Sequence, residues 1–569
     1  MPSARSALVA AASLVVANAA TLSDICTTSY AAAALPEDAV PGITIDSSSL
    51  TTAIVYNSSV SSEWYPSAVI DYCNVTFAYS HNGLTDDIVH VSYWLPAPDS
   101  FTGRYVSTGG GGLAINSGSS YIPSGIIVGA VSGITDGGFG NFDTQWDAVF
   151  LAANDTINWQ ATYMFGYQAH HELALLGKAY TANLYNVTDK VYSYYQGCSE
   201  GGREGWSQLQ RFADQFDGAA IGAPAFRYGQ QQVNHLSPAV IQQDIGYTPT
   251  ACAIEKITNL TIAFCDPLDG LTDGVIARSD LCLLQFDFNS TIGEPYSCAA
   301  AAAATSYESA TPAQNGSITA QDAANYKAVI DGLHDSDGKR AYITFQIGAD
   351  NLEAEPTYDS TTGTWYWAPS GLGGEWVARF LELQDADNLD SLVNVTADTL
   401  RDWMSLGMNR YADSLQTTNP DLSAVKSAGT KVIHLHGEQD NSIPTASSVH
   451  YYESVRSIMY PTLGFNESTA ALDDFYRLFL VPGGAHCESN TMQANGGWPQ
   501  DTLQQVIDWV ENGVAPATLN NSGTVITELC SWPLRPLWSG NGTSFDCVYD
   551  QASIDSWMYE FDAFNVPVY

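Results

Sequence analysis

Residues 190–216 read KVYSYYQGCSEGGREGWSQLQRFADQF. Lys190–Gln196 reads as a strand and Arg203–Phe216 as a helix. Between them, Gly197-Cys198-Ser199-Glu200-Gly201 fits the pattern G-x-S-x-G. Strand, sharp glycine turn and helix are the context in which that pattern forms a nucleophile elbow. The glycines permit a tight, strained turn that lifts the Ser199 hydroxyl off the sheet. The helix that follows aims backbone N–H groups and the positive end of its dipole at a developing oxyanion. One residue complicates this reading: Cys198 stands directly against Ser199, and a thiol there is a rival nucleophile.

Working outward, the same alternation extends over residues 88–225. Ile88–Leu95 and Arg104–Gly112 read as strands, the second ending in a glycine loop. Gly125–Gly133 and Asp147–Ala153 read as further β-rich runs, and Asn158–Tyr180 as a long helix. The pattern resumes with strands at Lys431–Gly437 and Tyr476–Gly483 and an amphipathic helix at Asp501–Gly513. In that helix Leu503, Val506, Ile507 and Val510 recur at helical spacing, and Asn512-Gly513 supplies the stop. Alternating strands and helices predict an α/β fold with a mostly parallel sheet covered on both faces. From 226 to 428 the rhythm breaks into a segment rich in Asp, Asn, Thr and Gly. This predicts an inserted subdomain, in which the alanine run Ala299–Ala304 and the residues after it form a loop or, alternatively, a short helix.

The N-terminus, MPSARSALVAAASLVVANAA, has one Arg, an apolar stretch too short to span a bilayer and small residues at a cleavage site. Residues 1–19 are expected to be a secretory signal peptide, outside the fold. Secretion makes the even count of ten cysteines a disulfide set. It also makes the sequons at Asn57, Asn74, Asn154, Asn186, Asn259, Asn289, Asn315, Asn394, Asn466, Asn520 and Asn541 candidate glycan acceptors. A formal net charge of −41 repels phosphate backbones and anionic lipid, so neither nucleic acid nor membrane is an expected partner. Oligomeric state is left open.

Partners for Ser199 should follow in the order acid, then histidine, in loops after later strands. Asp440 follows the strand at 431–437 and His486 the strand at 476–483. His486 is the candidate base and Asp440 the acid that orients it, with Glu438 the rival acid nearer the strand end. The loop Ser107–Asn116 supplies a second oxyanion donor from Gly111 or Gly112, beside the Glu200 N–H. It lacks the Gly-Lys-Ser/Thr of a phosphate cradle. His170, His171 and Glu172 do not make H-E-x-x-H and read as helix-surface residues. Cys487 follows His486 as Cys198 precedes Ser199. If those side chains assemble, the two cysteines lie close and, in a secreted protein, should be bonded, which leaves Ser199 as the nucleophile.

Longer stretches carry a resemblance: YYQGCSEGGREGWSQLQRF, GAPAFRYGQQQVNH, CDPLDGLTDGV, IGEPYSCAA, DSLQTTNPDL, SSVHYYESVRSIMY and SIDSWMYEFDAFNVP. With the order Cys-Ser, Asp, His-Cys, they resemble the tannase/feruloyl esterase family of α/β-hydrolases, its fungal tannase branch in particular, over essentially the whole mature chain. The resemblance implies an α/β-hydrolase catalytic domain (20–225 and 429–569) with a large lid domain (226–428) inserted before the acid. It implies hydrolysis of galloyl esters and depsides of hydrolysable tannins, with release of gallic acid. A feruloyl (hydroxycinnamate) esterase on the same fold is the alternative. A catalytically inactive binding protein is the remote one, disfavoured by the intact Ser199, Asp440, His486 and glycine loop. Trp365, Tyr366, Trp367 and Trp376 are candidates to stack on the acyl ring, with lid core as their alternative.

The resemblance also implies a structural Ca²⁺ in the lid. Its ligands would be the side chains of Asp266, Asp269 and Asp273 and the carbonyls of Leu271 and Val275. Carboxylates alternating with carbonyls suit a hard cation, though the bidentate Glu of an EF-hand is absent. No organic cofactor is implied. The remaining pairings carried with the resemblance are Cys265–Cys282 about that loop, Cys26–Cys73, Cys530–Cys547 and Cys252–Cys298.

Overall fold

The computed structural model describes residues 20–302, 310–540, 542 and 544–569. The expected leader at 1–19, residues 303–309 (the end of the alanine run and the start of the loop after it) and Asn541 lie outside the described residues. Nine strands form the main sheet: β1 Ile43–Ser62, β2 Tyr65–His81, β3 Val89–Leu95, β4 Arg104–Thr108, β5 Ala130–Thr135, β6 Tyr192–Cys198, β7 Gly218–Gly222, β8 Lys431–Gly437 and β9 Tyr476–Val481. Their spatial order is β1-β2-β3-β5-β4-β6-β7-β8-β9. The first four are joined antiparallel, and every pairing from β5 to β9 is parallel.

Side-chain alternation explains why both faces are covered. Tyr105, Tyr195, Ile221, Val432 and Leu478 point into one buried cluster with Leu173 and Leu176 of α2 (Ala169–Tyr185) and Trp206 and Leu209 of α3 (Glu200–Arg211). Val106, Tyr194, Ala220, Ile433 and Phe479 point into the other, with Val506 and Ile507 of α4 (Thr502–Asn512) and residues flanking α1 (Ile122–Ile127). Apolar side chains on both faces of adjacent strands are what a parallel sheet between helix layers demands. The six strands from β5 to β9 in this order run parallel and end at one edge, the position at which open α/β sheets bind ligands.

Several elements differ from the sequence reading. Gly125–Gly133 is half helix: Pro123 sits in the first turn of α1, where its missing N–H costs nothing, and Gly129 at φ +72° ends the turn before β5 begins. Asp147–Ala153 is one helical turn, Asp147–Phe150, followed by a three-residue strand in a separate two-stranded ribbon. The long helix before β6 contains a π-turn, Met164–Gln168. Within it the Phe165 and Gly166 carbonyls are bonded by the Arg203 guanidinium of α3, at 3.1 and 2.9 Å. The β1–β2 hairpin was not anticipated.

Among the described residues, 223–430 add no strand to the main sheet. They hold a core of their own, built from Ile254, Ile257, Ile262, Phe286, Phe288, Tyr326 and Val329. Among the described residues no helix is long and apolar enough to cross a membrane. All ten cysteines are paired: 26–73, 198–487, 252–298, 265–282 and 530–547.

Candidate active site

Ser199 stands between β6 and α3 at φ 63°, ψ −124°, a conformation that costs a non-glycine residue roughly 1–3 kcal/mol. Its backbone is fixed on three sides. The Ser199 N–H donates to the Gly222 carbonyl at 3.1 Å, and its own carbonyl accepts from Arg203 and Ala225 at 3.1 and 3.2 Å. Close packing explains the glycines: a Cβ on Gly201 would lie 2.7 Å from the Gly110 oxygen, and one on Gly202 2.3 Å from the Gly222 oxygen.

Ser199 Oγ lies 2.9 Å from His486 Nε2, and His486 Nδ1 lies 2.8 Å from Asp440 Oδ2. The carboxylate can only accept, so Nδ1 carries the hydrogen and Nε2 is free to take the serine proton. Asp440 is fully buried. Its Oδ1 accepts the Ser442 and Ile443 amides, each at 2.8 Å. Burial alone would raise its pKa. The neighbouring His486 charge and the hydrogen bonds from His436 and His486 outweigh that and hold it well below the usual carboxylate range. For His486, burial opposes the imidazolium, but Asp440 prevails and raises the pKa. Glu438, the rival acid, points elsewhere: Arg535 holds it at 2.7 Å and Ser279 Oγ at 2.5 Å.

In the glycine loop, three consecutive amides are consumed. Gly109 donates to Gln196 O at 3.1 Å, Gly110 to Glu204 Oε2 at 2.8 Å and Gly111 to Ala114 O at 3.0 Å. Gly111 is therefore not an oxyanion donor, a correction that follows from its bond inside the loop. Gly112, at φ +62°, lines the cleft at Ser199 together with Glu200. The Glu200 N–H is first in its helix and has no acceptor in a preceding turn. Beside this pair, Glu200 and Arg203 form a buried ion pair at 2.5 Å. Burial pushes the Glu200 carboxyl up, and the neighbouring Arg203 pulls it down.

Cys198 is bonded to Cys487, so the thiol beside the serine does not exist as a free group. The Trp64 indole N–H, from the β1–β2 turn, donates to the Cys487 carbonyl at 3.0 Å and braces the same loop.

The cleft beside Ser199 is lined by Tyr228, Gln231, Gln232 and His235 from the start of the inserted segment, Leu372 further along it, and Ser442 and Ile443 after the acid. None of these was singled out from the sequence. For Tyr228, Gln231, Gln232 and His235 the only signal was polar side chains crowded into one short helix, Tyr228–Asn234, and the residue after it. His235 Nδ1 is held 2.5 Å from Glu353 Oε1. The Gln232 Oε1 atom is buried without a partner. The four aromatic candidates do not line this cleft. Trp376 is core, edge-on to Tyr228 at 5.2 Å, Trp367 donates to Gln242 at 3.1 Å, and Trp365 and Tyr366 belong to an outlying hairpin.

His170 and Glu172 are buried rather than on the helix surface, because each meets a polar partner inside the fold: His170 Nε2 is 3.0 Å from Glu204, and Glu172 accepts from Tyr79 at 2.6 Å. His171 stacks on Phe212 at 3.6 Å. Of the described sequon asparagines, all are exposed except Asn74, which is half-buried in β2 with its side-chain Oδ1 accepting from the Ser92 hydroxyl.

Residues 266–275 form a tight turn in which Asp266, Asp269 and Asp273 accept backbone N–H groups from Asp273, Leu271 and Val275. Among the described residues no three His, Cys, Asp or Glu side chains make a ready metal cage. The turn nevertheless leaves Asp269 Oδ2 and Asp273 Oδ2 buried and unpartnered. Burial and the neighbouring carboxylates push Asp269 up to about 7 and Asp273 to about 6. Orphaned carboxylate oxygens that repel one another fit a hard cation with carbonyls completing its shell.

A serine at a strained strand–helix turn, followed in chain order by an acid and a histidine after later parallel strands, places this molecule among the α/β-hydrolases. The family model described as tannase and feruloyl esterase matches residues 73–554. A tannase from Aspergillus oryzae is 48% identical over 97% of each chain. A probable feruloyl esterase from Arthroderma benhamiae is 32% identical over 86% of this chain and 88% of its own. The solved tannin acyl hydrolase from Aspergillus niger superposes with a TM-score of 0.93 at 53% identity, over 96% of this chain and 99% of that one. The chain belongs to the tannase and feruloyl esterase family, and is a carboxylic ester hydrolase.

Proposed function

We propose that this protein is a secreted serine esterase that cleaves galloyl ester and depside bonds of hydrolysable tannins and simple gallate esters, releasing gallic acid. The observation that carries the reaction is the line of two hydrogen bonds from Ser199 through His486 to Asp440. His486 Nε2 takes the Ser199 proton as Oγ adds to the ester carbonyl. The Gly112 and Glu200 N–H groups stabilise the oxyanion. His486 then protonates the departing alcohol oxygen, leaving a galloyl-Ser199 ester. Water, deprotonated by the same nitrogen, hydrolyses that ester and restores the serine.

The cleft supports the substrate class. Tyr228, Gln231, Gln232, His235 and Ser442 ring it with hydrogen-bonding groups, and the partnerless Gln232 oxygen is an open acceptor for a phenolic hydroxyl. A site built to bond hydroxyls rejects analogues lacking them strongly. Methyl gallate is expected to exceed methyl ferulate in kcat/KM by about 100-fold or more. A preference for ferulate would replace this reading with the hydroxycinnamate esterase that the feruloyl esterase relatives keep in view.

Calcium at residues 266–275 is part of the proposal, with Asp266, Asp269 and Asp273 as carboxylate ligands and Leu271 and Val275 as carbonyl ligands. The raised Asp269 and Asp273 pKa values give the test its sign. Without a cation, the folded state holds protons that the unfolded state releases. Stability is then full below about pH 4 and is lost as pH rises through 6 and 7. Bound calcium removes that loss, so chelation should lower the thermal midpoint by several degrees at pH 7 and scarcely at pH 4. Equal midpoints with and without chelator at pH 7 would remove the ion from the proposal. Five disulfides and the exposed sequon asparagines support secretion and glycosylation.

A further inference from the structure

Strand β8 reads KVIHLHG, and its two histidines, His434 and His436, fall on the same face as Val432 and are fully buried. The reaction proposed above uses neither. With both rings neutral, their contacts allow each proton one place. His436 Nε2 lies 3.1 Å from Asp440 Oδ2 and 3.0 Å from the Ile443 carbonyl. Both of those atoms only accept, so Nε2 carries the hydrogen. His436 Nδ1 must then accept, and the Ser448 hydroxyl donates to it at 2.7 Å. With its hydrogen committed, Ser448 Oγ accepts from His434 Nε2 at 2.8 Å. His434 Nδ1 in turn accepts from the Tyr476 hydroxyl at 2.8 Å. Burial holds the His434 pKa well below its ordinary value, in keeping with a neutral ring.

We propose that His436 is a positioning residue for the acid of the triad: its Nε2–H, fixed by the chain Tyr476–His434–Ser448, is the fourth donor on Asp440 and locks the carboxylate facing His486. Two amides saturate Oδ1, and His436 and His486 share Oδ2. A carboxylate held at both ends cannot rotate away when His486 changes charge. The same donor draws electron density from Oδ2 and so tempers how strongly Asp440 stabilises the imidazolium. The titratable groups facing His486 are Asp440 and Glu488, and those facing His436 are Asp440 and His434.

The inference rests on the serine esterase reading, and its test separates the two. Gln at 436 extends an amide nitrogen to about where Nε2 stands. Asn reaches only the Nδ1 position, which keeps the Ser448 bond and loses the donor to Asp440. His436→Asn is expected to lower kcat for methyl gallate about tenfold with KM within about twofold. At a pH on its acid limb, kcat/KM should fall a further threefold or so relative to its own plateau, because a more basic His486 is protonated sooner. His436→Gln should restore both to within about threefold. A merely structural histidine would lower the unfolding midpoint in both variants and leave the acid limb where it was. A parental acid limb in the Asn variant, or equal impairment of Gln and Asn, overturns the inference. Should the variants not fold, ¹⁵N-histidine labelling of the parent protein reads the tautomer directly. The neutral Nε2–H form of His436 is expected, and a ring with hydrogen on Nδ1, neutral or doubly protonated, overturns the chain. Ser199→Ala measured in parallel assigns any failure: an active Ser199→Ala sinks the esterase reading, whereas an inactive one beside an unmoved acid limb sinks only His436.

Discussion

Ser199→Ala is expected to cut methyl gallate hydrolysis by at least about 10³-fold, with binding of gallic acid and the unfolding midpoint nearly unchanged. No other group stands where it could inherit the role. The sulfur nearest the serine is bonded to Cys487, and the side-chain bond lost with the hydroxyl is the single contact to His486 Nε2. What remains is a cleft that still binds the acid and still offers the Gly112 and Glu200 amides, enough for a small residual rate over water. Initial rates on methyl gallate, together with labelling by a serine-directed fluorophosphonate, decide the matter. Retention of more than about 1% of parental kcat would refute Ser199 as nucleophile.

The parts of this site that were legible in the sequence are those whose chemistry is local. Gly197 to Gly201 dictate their own turn, and Asp440 and His486 each follow a strand that can be read from its residues. The parts that were not legible depend on where distant segments arrive. Gly111 and Gly112 are equivalent on paper, and only the bond from Gly111 to Ala114 separates them. Gln231, Gln232 and His235 look like any polar helix until the fold sets them over Ser199. Burial of His170 and Glu172 required partners on α3 and β2. The β1–β2 hairpin escaped for a different reason. Irregularities between Asp46 and Thr51 and between Val55 and Ser58 break the two-residue period of a strand already rich in Ser and Thr.

The second large effect concerns the covalent tie between nucleophile and base. Cys198→Ala/Cys487→Ala is expected to lower stability by several kcal/mol, since the bridge closes a 289-residue loop and the chain-entropy account values such a closure on the order of 5 kcal/mol. Activity should fall as well. Cys198 is flush with the elbow and fully buried, whereas Cys487 is held at φ +64° in the loop that presents His486. Without the bond, that loop keeps the Trp64 hydrogen bond to Cys487 O and the Ala485 amide bond to Glu488 O. Those are weaker constraints than a covalent link, and an imidazole free to wander by an ångström loses near-attack geometry. A fall in kcat of about tenfold or more is expected, with KM for methyl gallate little changed. The double variant is the right test because either single variant leaves a thiol beside the triad, and the Cys487 sulfur lies only 3.7 Å from His486 Nε2. Thermal unfolding and steady-state rates on the same preparation separate the two consequences. Lost stability with full kcat would make the bridge a fastening of the fold alone, and parental values of both would show that packing by Trp64 already holds the base loop against the elbow.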